Sequence, residues 1–261
     1  MFNFSFDKRI IYAVIAIMVF RTIYQYSTVE GAILSLVLTI PGVLIAITFH
    51  EFAHAFVADK LGDDTPRREG RLSLNPLAHL DPIGSLLLLF AGFGWGKPVQ
   101  VNPRNYNRKI SMEKGQALVS IAGPIMNFIL AIIFTIITCI VIKTTDSGFG
   151  FIGNEFALMA SNQTVEIIIE ILIYAVAINV GLGVFNLIPL PPLDGSKVIM
   201  PLLPYKAKQF FMQNETIFYI IFVAIWITGI AGMIISPIIN TIDSGIIKLG
   251  LSIFGINFNL Y

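Results

Sequence analysis

Polar residues in this chain are gathered into a few islands separated by long apolar runs, and the runs have the length of membrane spans rather than of core helices. Runs close to or above the ~20 residues that cross a bilayer core are read at 10–26, 31–58, 116–142, 165–188 and 216–235. The first of them is interrupted by Arg21. A sixth run, 237–254, contains Asp243 and Lys248, which need partners in lipid. It is read either as a span or as an amphipathic helix lying in the interface. Between the second and third spans the pattern changes. GRLSLNP (70–76) and GKPVQVNP (96–103) alternate polar and apolar residues and end in Asn-Pro, which predicts two short strands. PIGSLLLLFAGFGW (82–95), lying between them, has too few apolar residues to span and predicts a re-entrant or interfacial hairpin.

Composition agrees with this pattern. Of 261 residues, 56% are hydrophobic and only 13% charged, with mean hydropathy +0.80, which excludes an ordinary soluble domain. The fold class expected is therefore an α-helical polytopic membrane protein of about six transmembrane helices. A small cytoplasmic-side β-element is expected between the second and third spans. The whole chain, 1–261, reads as one membrane domain, with a core at 31–215, a strand and re-entrant segment at 60–115 and C-terminal spans at 216–261. The first run lacks a small-residue cleavage site and further spans follow it, so it is read as retained. A net charge of +1 gives no case for nucleic acid as a partner. Cys139 is the single cysteine and falls within a span, so neither a disulfide framework nor a cysteine-based zinc site is expected.

Loop charge supplies the orientation. Lys60, Arg67, Arg68, Arg71, Lys97, Arg104, Arg108, Lys109 and Lys114 crowd the segment after the second span, whereas 143–164 holds only Lys143. The first segment is therefore placed in the cytoplasm, and Lys8, Arg9, Lys197, Lys206 and Lys208 put the N-terminus and the segment 189–215 on the same side. The expected location is the cell membrane, crossed several times.

Against this background AITFHEFAHAFVADKLG (46–62) is the anomaly, because two of the three histidines and an acid close an apolar run. Residues four apart on a helix are separated by about 40° of rotation, so His50 and His54 share a face and can reach one metal ion. Glu51 stands beside that face. This is the HExxH arrangement, in which two imidazoles hold zinc, the metal acidifies a water and the glutamate moves its proton. Measured from Gly31, His50 lies about 28 Å along the helix, at the inner edge of a ~30 Å core. A catalytic zinc wants three protein ligands and one open position. Two candidates for the third lie on the correct side: His79, in NPLAHLDPIG, and Asp194, which follows Pro191 and Pro192 and precedes Gly195. Local sequence leaves Asp194 open between a ligand and an ordinary Pro-Asp-Gly turn.

HEFAH at the end of one span, AGPIMNF (122–128) in the next and NLIPLPPLDGSKV (186–198) after the fourth together resemble the site-2 protease family of intramembrane zinc metalloproteases. More narrowly, they resemble its compact bacterial branch without a PDZ domain. The resemblance covers roughly 31–215. It implies that His50, His54 and Asp194 hold one zinc ion per chain, that Glu51 is the general base, and that the substrate is a transmembrane segment of another protein. It also implies that Asn127 and Asn186 line the active site, contacting substrate or a developing oxyanion, although an amide tying two helices together fits the residues equally. His79 is kept as a reserve ligand, or as a residue that gates or binds substrate. The two short strands would offer an edge to which an unwound substrate adds as a strand.

Three other readings compete. A transporter or metal or proton-binding membrane protein would also carry intramembrane His and Glu, but related halves with broken helices are not visible. A di-iron oxygenase would need more than three histidines. A proteolytically inactive relative acting as a scaffold keeps the same residues, and a homodimer is left open.

Overall fold

A computed structural model describes residues 32–91, 96–152, 155–227 and 230–256, together with Phe20 and Tyr24. The first predicted span, 10–26, lies outside these residues except for those two. Helix α1 (Ala32–Lys60) is followed by a short α2 (Thr65–Arg68), then α3 (Pro82–Ala91) and the long α4 (Met112–Thr144). A hairpin of β1 (Gly148–Ile152) and β2 (Glu155–Met159) leads into α5 (Gln163–Asn186), and α6 (Asp194–Ile199), α7 (Tyr205–Gln213), α8 (Glu215–Ile227) and α9 (Ile230–Ile253) complete the chain. Four of these helices, α1, α4, α5 and α9, are long and apolar enough to cross a membrane.

Helices α1, α4 and α5 pack on one another to form the core. Small side chains make the approach close: Ala46, Ala53, Ala55, Ala58, Ala131 and Ala175 are all buried. In lipid this matters more than hydrophobic burial, because apolar side chains gain nothing by leaving apolar solvent and association rests on contact and hydrogen bonding. Val43, Ala46, Ile47 and Leu182 seal the α1–α5 contact. Cys139 is buried among Ile142, Ile169 and Leu251, a packing residue as its position suggested.

At the C-terminal end, the described residues of the run 216–235 lie in α8, described over Glu215–Ile227, and in the first turns of α9, which begins at Ile230 and carries the sixth run to Ile253. Through Ile239, Ile242, Ile246 and Ile247, α9 packs onto Ala131, Val176 and Val180 of the core, so the sixth run belongs to the bundle.

The β-element is also displaced. Neither 70–76 nor 96–103 is a strand; among the described residues the only strands are β1 and β2, which pair antiparallel from Gly148 with Met159 to Ile152 with Glu155. That hairpin joins the far ends of α4 and α5, away from HEFAH. The predicted strands are extended chain whose polar groups are met by side chains instead of by a ladder. Asp63 accepts from the Thr65 and Asn102 main-chain N–H groups at 3.1 and 2.6 Å, from the Thr65 hydroxyl at 2.6 Å and from the Asn105 amide at 2.9 Å. The Arg71 guanidinium donates to the Ala78 and Pro98 carbonyls. Asn75 and Asn102 each cap a 3-10 turn, Pro76–Ala78 and Pro103–Asn105. One main-chain bond, Lys97 N–H to the His79 carbonyl at 2.7 Å, joins the two segments. Between them α3 is a helix of 10 residues packed on α1, consistent with a run too short to span.

Candidate metal centre

Helical geometry brings the first two groups together as the spacing requires. The His50 and His54 rings meet edge to face with centroids 4.6 Å apart, and their Nε2 atoms are 3.0 Å apart. The third group arrives from another element. After α5 ends at Asn186 the chain turns through 187–193, where the Leu193 N–H donates to the Leu190 carbonyl at 2.9 Å, and α6 opens at Asp194. Asp194 Oδ2 lies 3.2 Å from His50 Nε2 and 3.1 Å from His54 Nε2. Gly195 is required here because a Cβ would run into the Leu187 and Ile188 carbonyl oxygens.

The donor set fits a zinc ion. Bonds of about 2.0–2.1 Å in a tetrahedral site separate ligand atoms by roughly 3.3 Å, close to the observed edges of 3.0 to 3.2 Å. The three residues are the metal-capable cluster among the described residues. Burial alone would push the Asp194 carboxyl up, but the imidazoles of His54 and His50 hold it well below the usual carboxylate range, leaving an anion at the cluster. The other face of the cluster is left open by Gly123 of α4, where a Cβ would fall 2.5 Å from His54 Nε2 and 2.6 Å from His50 Nε2.

Each imidazole is held from behind. His54 Nδ1 lies 2.7 Å from the Val119 carbonyl, a pure acceptor, so Nδ1 carries a proton and Nε2 is the nitrogen that faces the cluster. His50 Nδ1 lies 2.6 Å from Asn127 Oδ1. Glu51 Oε2 accepts the Val99 N–H at 3.1 Å, a contact delivered by the pinned 96–103 segment. A cavity of about 370 Å³ is lined by His50, Glu51, His54 and Asp194, with Asn186 and Phe222 on its wall.

The remaining candidates separate. Asn186 lines the cavity, its amide N–H turned back to the Leu182 carbonyl at 3.1 Å. Asn127 is fully buried behind His50, and its amide is directed to the imidazole rather than into the cavity. His79 is fully buried and lies outside the cluster, with Nε2 2.6 Å from the Ser73 carbonyl. Its ring fastens the 70–79 turn. Glu166 and Glu170, the glutamates available to another HExxH architecture, lie in the opposite half of α5, Glu170 about 24 Å of helix from Asn186. Three contacts escaped the sequence. Val99 and Val119 act through main-chain atoms, which no residue type announces. Asn179 could have been found, as an amide within an apolar run two turns before Asn186.

Known proteins give an independent reading of this geometry. The model of peptidase family M50 matches residues 97–229, a stretch that includes AGPIMNF and the LDG segment and begins after HEFAH. YwhC of Bacillus subtilis, named as a candidate zinc metalloprotease, is 38% identical over 211 residues, 81% of this chain and 90% of the relative. Rip2 of Mycolicibacterium smegmatis, named likewise, is 28% identical over 195 residues, 74% of this chain and 67% of the relative. Rip2 of Mycobacterium tuberculosis is 29% identical over 169 residues, 63% of this chain and 57% of the relative. No solved structure matches.

Proposed function

Because the chain belongs to peptidase family M50, the site-2 proteases, we propose that it is an intramembrane zinc endopeptidase that hydrolyses peptide bonds in or near transmembrane segments of other proteins. His50, His54 and Asp194 would hold one zinc ion, and Glu51 would be the general base. The observation that carries this reading is the convergence of three ligand atoms at 3.0 to 3.2 Å beside a glutamate on the same helix.

Zinc, when bound, supplies a Lewis acid that lowers the pKa of a water and polarises a substrate carbonyl. The rest falls to the chain. Glu51 lines the same cavity and is fixed by the Val99 N–H. From there its carboxylate takes a proton from the attacking water and passes it to the departing amine nitrogen. The cavity is lined by the apolar side chains of Leu182, Phe185 and Phe222 and by the polar ones of Gln116, Ser120 and Lys197. An apolar segment enters against the first set and water meets the second. The excess of Lys and Arg in the loops at this end supports a cytoplasmic orientation for it.

The reading is tested by stripping the purified protein with a chelator and following zinc content together with cleavage of a reporter that carries one transmembrane segment. Cleavage should vanish with the metal and return on adding one equivalent of zinc. Undiminished cleavage by fully stripped protein would rule the reading out.

A further inference from the structure

Behind His50 runs a chain of buried amides that the cavity never touches. Asn127 and Asn179 are both fully buried. Asn127 presents Oδ1 to His50 Nδ1 at 2.6 Å and donates from Nδ2 to the Ala46 carbonyl at 3.2 Å and to Asn179 Oδ1 at 2.9 Å. Asn179 in turn donates to the Ala175 carbonyl at 2.8 Å. The relay crosses all three core helices.

Its direction is fixed at both ends by groups that can only accept. Ala175 O requires the NH₂ of Asn179, which turns Asn179 Oδ1 toward Asn127. That oxygen and Ala46 O then require the NH₂ of Asn127, so Asn127 Oδ1 is the atom facing His50. Rotating either amide by a half-turn would set oxygen against oxygen at fully buried positions, where an unmet polar group costs about 1–3 kcal/mol. The ring nitrogen opposite an acceptor must carry the proton. We infer that Asn127 and Asn179 are positioning residues that keep a proton on His50 Nδ1, so that Nε2 is the ring nitrogen turned to the cluster with Asp194 and His54. Asn127 therefore acts on the metal ligand and not on the substrate. The inference rests on the proposed zinc site for its purpose, though not for its geometry.

Two measurements on the full-length protein separate the inference from that proposal. With only three histidines in the chain, ¹⁵N-histidine labelling gives three ring systems, assignable by His54→Gln and His79→Gln. In metal-free protein the His50 ring should show a protonated Nδ1, the nitrogen that faces Asn127 Oδ1. A bare Nδ1 would overturn the inference whether or not zinc binds. The second measurement is zinc affinity by chelator competition. Asn127→Leu, nearly the same size, should weaken it by about 10–100-fold and Asn179→Leu by about 10-fold, the range for groups that support a metal ligand. Asn179→Asp should bind nearly as the wild type, because a buried acid stays protonated, its O–H replacing the N–H to Ala175 and its other oxygen still accepting from Asn127. A packing role predicts the reverse order, with leucine tolerated and aspartate not. Wild-type affinity in Asn127→Leu would overturn the inference, whereas a wild type that binds no zinc would remove the functional reading and leave the tautomer to decide this one.

Discussion

Two regions support the same site by different physics. The α1–α4–α5 bundle holds His50, His54 and their backing groups on helices, where each position follows from a 1.5 Å rise and 3.6 residues per turn. The segment 61–111 holds Glu51 in place through the Val99 N–H, yet among its described residues the only regular structure is α2, α3 and two 3-10 turns. It keeps its shape because Asp63 and Arg71, a buried anion and a buried cation, gather main-chain groups and the Asn105 amide from elsewhere in the segment. Helical regularity needs no particular residue at most positions, whereas the segment depends on a few side chains that each satisfy several partners.

That contrast sets the size of the expected effects. The largest is in the bundle: Gly123→Ala puts a methyl 2.5–2.6 Å from both metal-facing nitrogens while improving helix propensity by about 1 kcal/mol. It should lower turnover and zinc content by 10²-fold or more, on the order of what a 1 Å displacement of reacting groups costs, with helical content by circular dichroism unchanged. Loss of helix along with activity would show that Gly123 serves the fold and not the centre. In the segment, Asp63→Ala strips four hydrogen bonds from one acceptor and should destabilise the detergent-solubilised protein by about 3 kcal/mol, since bonds to charged groups contribute ~1.5–3 kcal/mol each and do not add. An unshifted thermal transition would remove the segment's dependence on this carboxylate.

A smaller effect joins the two regions. Val99→Pro deletes the N–H that Glu51 accepts and should slow turnover by roughly 10-fold at constant zinc content, about 1.4 kcal/mol. Equal rates would mean that Glu51 is oriented by something else. Acid should reveal the segment as well. Burial opposes ionisation of Asp63, but bonds from Thr65, Asn102 and Asn105 outweigh it, so its carboxyl is held below the usual range. A depressed carboxylate stabilises the fold above the unfolded-state pKa of about 3.9. This contribution is lost as pH falls through the lower folded value. Stability should therefore drop below about pH 4 in the wild type, and Asp63→Asn should flatten that part of the profile. The smallest effect is expected on α9, where Met233 is exposed: Met233→Ala should leave activity and stability within ~0.5 kcal/mol of wild type.

The same contrast explains what could be read in advance. His50, Glu51 and His54 were legible because three residues on one helix turn state their own geometry. Asp194 needed the family resemblance, since Pro-Asp-Gly describes a turn as well as a ligand. The strands assigned to 70–76 and 96–103 failed because alternation of polar and apolar residues marks extended chain, not the partner that completes it. Here the partner is a set of side chains. Asn127 was singled out correctly as a polar residue in lipid, and only the placement of Ala46 and Asn179 around it shows that it faces a histidine.

The central claim, a hydrolytic zinc centre with Glu51 as its base, is tested most directly by Glu51→Gln, which keeps size and the bond from Val99 but cannot take up a proton. Zinc content and cleavage of a transmembrane reporter should be measured on the same preparation. The account predicts one zinc per chain as in the wild type and cleavage reduced by about 10²–10⁴-fold, the usual contribution of a general base. Wild-type cleavage by the zinc-loaded glutamine variant would contradict it.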